Sequence, residues 1–464
     1  MQSNNSSLNG FFLLVLSCCL ALACGDIWDL SGYEALGVGI FSYFLIRIIK
    51  NLGKTIWVFL DVISLLLALT CLVAPLFFYH HFTETNDLAV LWVKFMPVSS
   101  DEYYGFTIPA SLALILGFNI GFIRRKELRY SIQEYVRLGL LSRPAKLGFQ
   151  LVLISLVMGF VRSIAPGSLG FIVFLSTKLI FIGFLYLYFS GRKPSVKWVF
   201  IAIGLLFFQS LQAAMFGELI FMILLAVIIF TYGKRYSISF KAGVIAAGIA
   251  AIILIQSIKL DYRKVVWADT GSGGVANIAL FANLASQKTQ DAGTFFSEEK
   301  MFFTAVRFNQ GWLVASVMKN VPAIVPYANG ETIWQSLLAS IAPRFLWPDK
   351  PEAGGKANIK RFLGWDLEGT SMNIGLLGES YANFGIWAGC IFLFFYGLAF
   401  QWAYNFCIKL TYTHPTLILW LPLLFFYCIG VENDVLTVVN HLTKTGLFVY
   451  LLYKLYPKIF RINL

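Results

Sequence analysis

Charge is what this sequence has least of. Asp, Glu, Lys and Arg together make up 13% of its 464 residues, about half the share of an ordinary globular chain, and too little to solvate a soluble fold of that length. Histidine occurs four times, and the pair His80-His81 has no partners at metal-ligand spacing. The seven cysteines (Cys18, Cys19, Cys24, Cys71, Cys390, Cys407 and Cys428) all lie in apolar runs. They read as small buried hydrophobes, not as a disulfide framework or a metal site. There is no Gly-rich nucleotide loop, internal repeat or low-complexity tract. These absences exclude a cytosolic enzyme, a disulfide scaffold and a disordered chain, and leave inverted-repeat transporter architecture without support. Neither a cofactor nor a required metal is expected.

What the sequence does have is apolar length. Hydrophobic residues make up 58%, with 44 Phe, 21 Tyr and 12 Trp, and the mean hydropathy is +0.73. A bilayer core of about 30 Å needs roughly 20 mostly apolar residues per helix. Runs of that kind predict twelve spans, at about 9–26, 32–49, 55–79, 104–123, 147–165, 169–189, 196–213, 215–232, 241–258, 374–401, 415–431 and 438–456. The chain thus reads as an all-α polytopic membrane protein. Ala21-Leu22-Ala23-Cys24-Gly25 loosely resembles a lipobox, but the preceding MQSNNSSLNG carries no Lys or Arg, so residues 9–26 are read as the first span.

Lys and Arg test that count, because cytoplasmic loops carry the excess of positive charge. Alternate connections hold Arg47, Lys50 and Lys54; the run from Arg124 to Lys146; Arg192, Lys193 and Lys197; Lys234, Arg235 and Lys241; Lys409; and Lys454, Lys458 and Arg461. That is 20 of the 36 basic residues against two acids, Glu127 and Glu134. This predicts both termini in the cytoplasm. The net charge of +12 is then mostly a topology signal, and nucleic acid is not an expected partner.

Between the ninth and tenth predicted spans lies one large outer connection, which divides the chain into residues 1–257, 258–375 and 376–464. Val275 to Lys288, Ser297 to Lys319 and Glu331 to Phe345 have helix-compatible apolar spacing and predict short helices on or dipping into the outer face. This connection is rich in bases, against the usual rule, which invites an anionic ligand. Arg263 directly follows a span in Lys259-Leu260-Asp261-Tyr262-Arg263, at the depth of phosphate headgroups. A guanidinium matches phosphate oxygens bidentately; the same residue also serves as a snorkelling anchor paired with Asp261. Arg307 sits in Ala305-Val306-Arg307-Phe308-Asn309-Gln310. In Pro343-Arg344-Phe345-Leu346-Trp347-Pro348-Asp349-Lys350-Pro351 the prolines predict an extended, rigid segment presenting Arg344, Trp347 and Lys350. An interfacial Trp anchor is the alternative.

Candidate bases lie on the same side. Glu379 opens the tenth span, where the helix dipole favours an acid in any case. Glu432-Asn433-Asp434 and Asn440-His441 connect the last two spans. Asp434 and His441 are seven residues apart, two turns of one helical face if the helix begins that early, and His titrates in the range useful to a base; ordinary loop acids and an interfacial His are the alternative. Asp61, Lys178 and Lys444 fall inside spans, where charge is costly. The run Asp269-Thr270-Gly271-Ser272-Gly273-Gly274 reads as a flexible joint or an anion-binding nest.

The twelve-span plan, the large outer loop, Arg263 after the ninth span, the Arg307 segment and the PRFLWPDKP stretch resemble Wzy-type polysaccharide repeat-unit polymerases, which include O-antigen and common-antigen polymerases. The resemblance is whole-chain as topology and covers about a hundred residues as motif. It implies a GT-C-like bundle in a bacterial inner membrane, with its active face periplasmic. It also implies polyprenyl-diphosphate-linked oligosaccharides as donor and acceptor, membrane lipids as surroundings and a chain-length regulator protein as partner. Arg263, Arg307 and Arg344, helped by Lys350 and Trp347, would hold the diphosphate, and Glu379, Glu432, Asp434 or His441 would take the acceptor proton. One departure is visible: many members carry an Arg in the hairpin before the eighth span, where this chain reads Ala213-Ala214-Met215-Phe216-Gly217-Glu218. An O-antigen ligase-type transferase and a lipid-linked oligosaccharide flippase are the competing expectations.

Overall fold

Long apolar stretches must satisfy their backbone polar groups internally, and helices do so within one segment. The computed structural model describes residues 4–120, 145–162, 164, 170–190, 196–231, 236–268, 274–290, 297–344, 346–367 and 371–460, and among them there is helix and no strand. The basic connection 121–144, the bases at 192–193, 234–235 and 461, and the Asp269–Gly273 run lie outside the described residues.

The first helices are α1 (Asn4–Trp28), α2 (Gly32–Asn51), α3 (Val58–His80), the short α4 (Asp87–Leu91) and α5 (Ser100–Asn119). Next come α6 (Ala145–Val161), α7 (Gly170–Phe189), α8 (Val196–Ala213), α9 (Gly217–Thr231) and α10 (Ile238–Ala268). Five shorter helices follow: α11 (Val275–Gln290), α12 (Glu298–Phe308), α13 (Gly311–Asn320), α14 (Glu331–Ile341) and α15 (Lys356–Leu363). The chain closes with α16 (Gly375–Leu410) and α17 (Val435–Phe460).

Among the described residues, six stretches are long and apolar enough to cross a membrane: Gly32–Asn51, Val58–His80, Gly170–Phe189, Ile238–Lys259, Gly375–Leu410 and Val435–Phe460. Other expected spans include apolar helical stretches of 10–17 described residues, Ala145–Val161, Lys197–Ala213 and Gly217–Thr231 among them. The stretch read as a span over 415–431 is not one helix. It breaks into a 3₁₀ turn (Pro415–Trp420), a single α turn (Leu421–Leu424) and a second 3₁₀ turn (Phe426–Cys428), because Pro415 and Pro422 each remove a backbone donor. Its side chains are almost all buried, so it plugs the bundle.

Ion pairs join helices within the bundle. Arg47 meets Asp61 at 3.1 Å and also donates to Asn119, and Lys178 pairs with Glu218. The helices α5 and α16 form the closest partnership. A Cβ on Gly117 would strike the Phe394 carbonyl, and one on Gly397 would strike that of Leu114, so the two glycines let the backbones touch, as small residues do between membrane helices.

Near its start α16 bends at Gly385, whose φ of 69° and ψ of −156° are tolerated essentially by glycine alone. The ten residues before the bend run among α13 to α15, and those after it return to the bundle. Ala328 and Asn329 donate backbone hydrogen bonds to the carbonyls of Ala382 and Asn383, and the Tyr327 hydroxyl lies 3.2 Å from where a Gly385 Cβ would stand. Gly385→Ala should therefore destabilise the fold by about 1–3 kcal/mol, lowering the unfolding temperature of the detergent-solubilised protein. Gly446→Ala, which meets open space, should leave it unchanged or raise it; equal behaviour of the two would refute the role of the bend.

Candidate functional site

The base-rich segment starts where α10 outlasts its apolar run. Tyr262, fully buried, donates to the Leu211 carbonyl at 2.9 Å and packs with Phe216 and Phe281. Gln212 of the α8 end accepts from Gly274 N–H at 2.9 Å and from Asn277. These contacts lock the α8–α9 hairpin against the end of α10. Arg263 is thereby held in place: its Nε donates to the Ala214 carbonyl at 2.9 Å, and its guanidinium stacks over Trp267 at 4.6 Å.

Arg307 arrives from the last turn of α12, a position the helix dipole favours for a cation. That helix is anchored on the end of α3 through Phe302, which meets Phe78 at 6.3 Å and Phe82, just beyond the helix, at 5.2 Å. Arg307 comes close enough for its charge to act on both Arg263 and Lys259. Burial, and then the Arg307 charge, lower the pKa of Arg263. Three like charges gathered at one helix end repel one another unless an anion joins them, and among the described residues neither Arg263 nor Arg307 has a carboxylate ion-pair partner.

A second constellation is acidic and buried. The Glu379 carboxylate, wholly inaccessible, accepts from Val435 N–H at 2.8 Å, from the Thr332 hydroxyl at 3.2 Å and from Asn358 Nδ2 at 3.4 Å. Asn383 donates to the Thr332 hydroxyl at 2.7 Å and to the Glu379 carbonyl. Asn358 also reaches Asp434 at 3.5 Å, and Asp434 caps α17 by accepting from Thr437 N–H at 2.9 Å. Burial raises the pKa of Asp434, against the hydrogen bonds from Thr437.

A family model described as a domain of unknown function (DUF8712) matches residues 77–434. The chain belongs to the DUF8712 family. The matched DUF8712 region contains the basic cluster and both carboxylates, and ends just before α17. No curated protein and no solved structure matches the chain.

The remaining predicted residues of this DUF8712 protein lie elsewhere. Arg344 is exposed and pairs with Glu352 at 2.9 Å, apart from the partners of Arg263. The segment around it is a series of turns rather than extended, with Leu346 and Trp347 N–H bonded to the Pro343 carbonyl at 3.1 Å and Lys350 N–H to that of Trp347. Trp347 is half-buried. Lys350 is buried, and its ammonium donates to the carbonyls of Ala339 and Ala342 at 2.7 and 2.6 Å, sealing the end of α14, a structural use that leaves it poorly placed for a ligand. Burial, and then Arg344, lower its pKa.

His441 lies within α17 and Asp434 just before it, and they have separate partners. His441 Nε2 donates to the Leu423 carbonyl at 2.8 Å, and its ring lies 4.7 Å from that of Tyr427. Glu432 is half-buried beside Gly430. No group of three or more His, Cys, Asp and Glu side chains with metal-ligand potential occurs among the described residues.

Sequence reasoning did not single out Thr332, Asn358 or Asn383, since polar residues on short helices carry no spacing signal. It also passed over Lys94, whose ammonium sits 3.3 Å from the centre of the Trp312 ring, itself stacked on Trp365 at 5.3 Å. Burial pulls the Lys94 pKa down to about 8.

Glu379→Ala would orphan the Val435 N–H and leave Asn358 only its 3.5 Å contact with Asp434, at about 1–3 kcal/mol for a buried group left unpaired, and should show as a loss of thermal stability. A carboxyl whose pKa is raised by folding contributes stability that is complete below its ordinary value, 3.8 for Asp434, and is lost as pH rises through the raised value. Asp434→Asn keeps an oxygen to cap α17 and removes that titration. Unfolding measured from pH 4 to 8 should therefore decline less with pH in Asp434→Asn than in the wild type; parallel curves would contradict the buried-carboxyl assignment.

Proposed function

We propose that this protein is a membrane glycosyltransferase of the repeat-unit polymerase type. It joins polyprenyl-diphosphate-linked oligosaccharides on the periplasmic face of a bacterial inner membrane, with a twelve-span topology and both termini in the cytoplasm. The observation that carries this reading is the convergence of Lys259, Arg263 and Arg307 at the end of a membrane-length helix. A lipid-linked diphosphate is an anion presented at that kind of boundary.

In the proposed reaction a hydroxyl of one lipid-linked repeat attacks the anomeric carbon of the chain carried by a second lipid, and polyprenyl diphosphate departs. Negative charge grows on the diphosphate as the glycosidic bond breaks, and fixed guanidinium groups stabilise it more in the transition state than in the ground state. The Ala214 carbonyl and the Trp267 face orient Arg263 beforehand, so little reorganisation is needed on binding. The hairpin that lacks the family's arginine contributes through its backbone instead.

Of the four candidate bases, Glu379, Asp434 and His441 are committed to bonds that hold helices together. Glu432 is the proposed base for the acceptor hydroxyl.

The test is deletion of the gene in the source strain, followed by complementation and inspection of the surface polysaccharide. A polymerase deletion leaves single-repeat glycans and no long chains. Accumulation of long lipid-linked chains with none attached would instead identify a ligase, and loss of all periplasmic repeats a flippase. Arg263→Ala and Arg307→Ala should each reduce chain elongation by about 10²–10³-fold at normal membrane levels, Glu432→Gln should abolish it, and Arg344→Ala should cost less. Normal chain length in both Arg263→Ala and Arg307→Ala would overturn the diphosphate clamp.

A further inference from the structure

The segment from α14 to α15 runs down the side of α17 and returns. It starts where Thr332 joins Glu379, which also holds the first N–H of α17. Its turn, with Arg344 and Lys350, lies within electrostatic reach of Lys444. The chain then comes back to the start of α17, where Gly354 N–H donates to the Thr437 hydroxyl at 3.2 Å and Asn358 reaches Asp434. From Thr437 to Lys444 the helix advances about 10 Å. Over this length the outward side of α17 carries Asn440, Thr443 and Lys444 beside Val439 and Leu442, with Thr437, His441 and Thr445 buried in the protein, and from Gly446 the helix becomes the apolar run GLFVYLLY. The turn of the hairpin therefore stands at the level where the outward side of α17 passes from mixed polar to apolar.

The hairpin is built inside out. Thr332, Ser336, Ala339 and Ser340 of α14 face the protein, whereas Ile341 is 76% exposed, as is Leu346 at 70%. The buried hydroxyls of Ser336 and Ser340 bond back to carbonyls of their own helix at 2.7 Å, so the inward face needs no water. The free carbonyls at the helix end, usually left to solvent, are taken by the Lys350 ammonium. Apolar side chains turned outward, a sealed helix end and cations at the same level are the makings of an interfacial anchor.

We propose that the tip of this hairpin, with Leu338, Ile341, Leu346 and Trp347 as its apolar part and with Lys444 and Arg344, which exchanges its solvent-exposed pairing with Glu352 for the headgroup, as its cationic part, inserts into the membrane interface and binds bilayer phospholipid with an anionic headgroup. This inference rests on the membrane-spanning character of α17 and not on the glycosyltransferase reading.

The test places an environment-sensitive fluorophore on Ile341→Cys and, as a control, on Lys356→Cys at an exposed position of α15. The full-length protein is reconstituted in phosphatidylcholine vesicles with or without phosphatidylglycerol, and the labelled unsubstituted protein supplies the baseline from native cysteines. The fluorophore at 341 should be quenched by brominated lipid and shielded several-fold from aqueous iodide relative to 356. Phosphatidylglycerol should increase that shielding, and Arg344→Gln should remove the increase. Iodide access at 341 equal to that at 356 would overturn the proposal. So would shielding from both quenchers, or disulfide crosslinking of two copies through position 341, either of which would mean a protein contact. Insensitivity to phosphatidylglycerol would overturn the headgroup assignment. Both positions are exposed, and gel filtration of each variant identifies any that fails to fold.

Discussion

The architecture at the loop end of this molecule depends on one carboxylate. Glu379 lies before the bend of α16, has no contact with water, and accepts bonds from the first turn of α17, from α14 and from α15. Without it the Val435 N–H would be a buried donor with no partner, the Thr332 hydroxyl would keep only the bond it accepts from Asn383, and Asn358 only its 3.5 Å contact with Asp434. The carboxylate is thus the point at which short amphipathic helices, too small to be stable alone, are attached to the long helices α16 and α17. The Gly385 bend is what brings it there, because a straight α16 would carry residue 379 along the axis of the long helix instead of among α13 to α15.

The same economy governs charge elsewhere. In a chain with so few ionisable groups, two cations inside the bundle are met by carboxylates, Arg47 by Asp61 and Lys178 by Glu218. Arg263, Arg307 and Lys259 are treated differently. They are collected by α10 and α12, and Arg263 is oriented by a carbonyl and an aromatic face, neither of which neutralises it. A fold that pairs its charges in apolar surroundings and concentrates like charges at a boundary has kept the second group for something outside itself, which is why the anionic end of a lipid-linked substrate is the reading favoured for the site.

Four of the short helices between α10 and α16 were legible as apolar spacing: Val275–Gln290 and Glu331–Ile341 match their predicted stretches closely, and 297–319 divides into two helices at Asn309 and Gln310. The division has a local cause, since Asn309 accepts from Trp312 N–H and so caps the second helix with its own side chain. Lys356–Leu363 carried no signal because it is only two turns long and half of its residues are polar. Hydropathy also misread 415–431, where a run of apolar residues has the composition of a span and the prolines of a plug. Among the candidate residues, Asp434 stands just before α17, where it accepts from Thr437 N–H, and His441 lies within the helix bonded to the Leu423 carbonyl, so the two have separate partners.

Composition and the order of residues alone determined that this chain is helical and belongs in a membrane, because a surface with so little charge cannot be hydrated and apolar runs of that length can satisfy their backbone only as helices. They also determined that cations gather between the ninth and tenth apolar runs. Which cations meet was decided by tertiary structure: Arg263 and Arg307 are 44 positions apart in number, and only the docking of α12 on α3 and of the α8–α9 hairpin on α10 brings them to one place. The roles of Lys350 and Glu379 were decided there too. A buried ionic side chain acts on whatever donors and carbonyls the packing places within about 3 Å of it, and that neighbourhood is written in no single stretch of sequence.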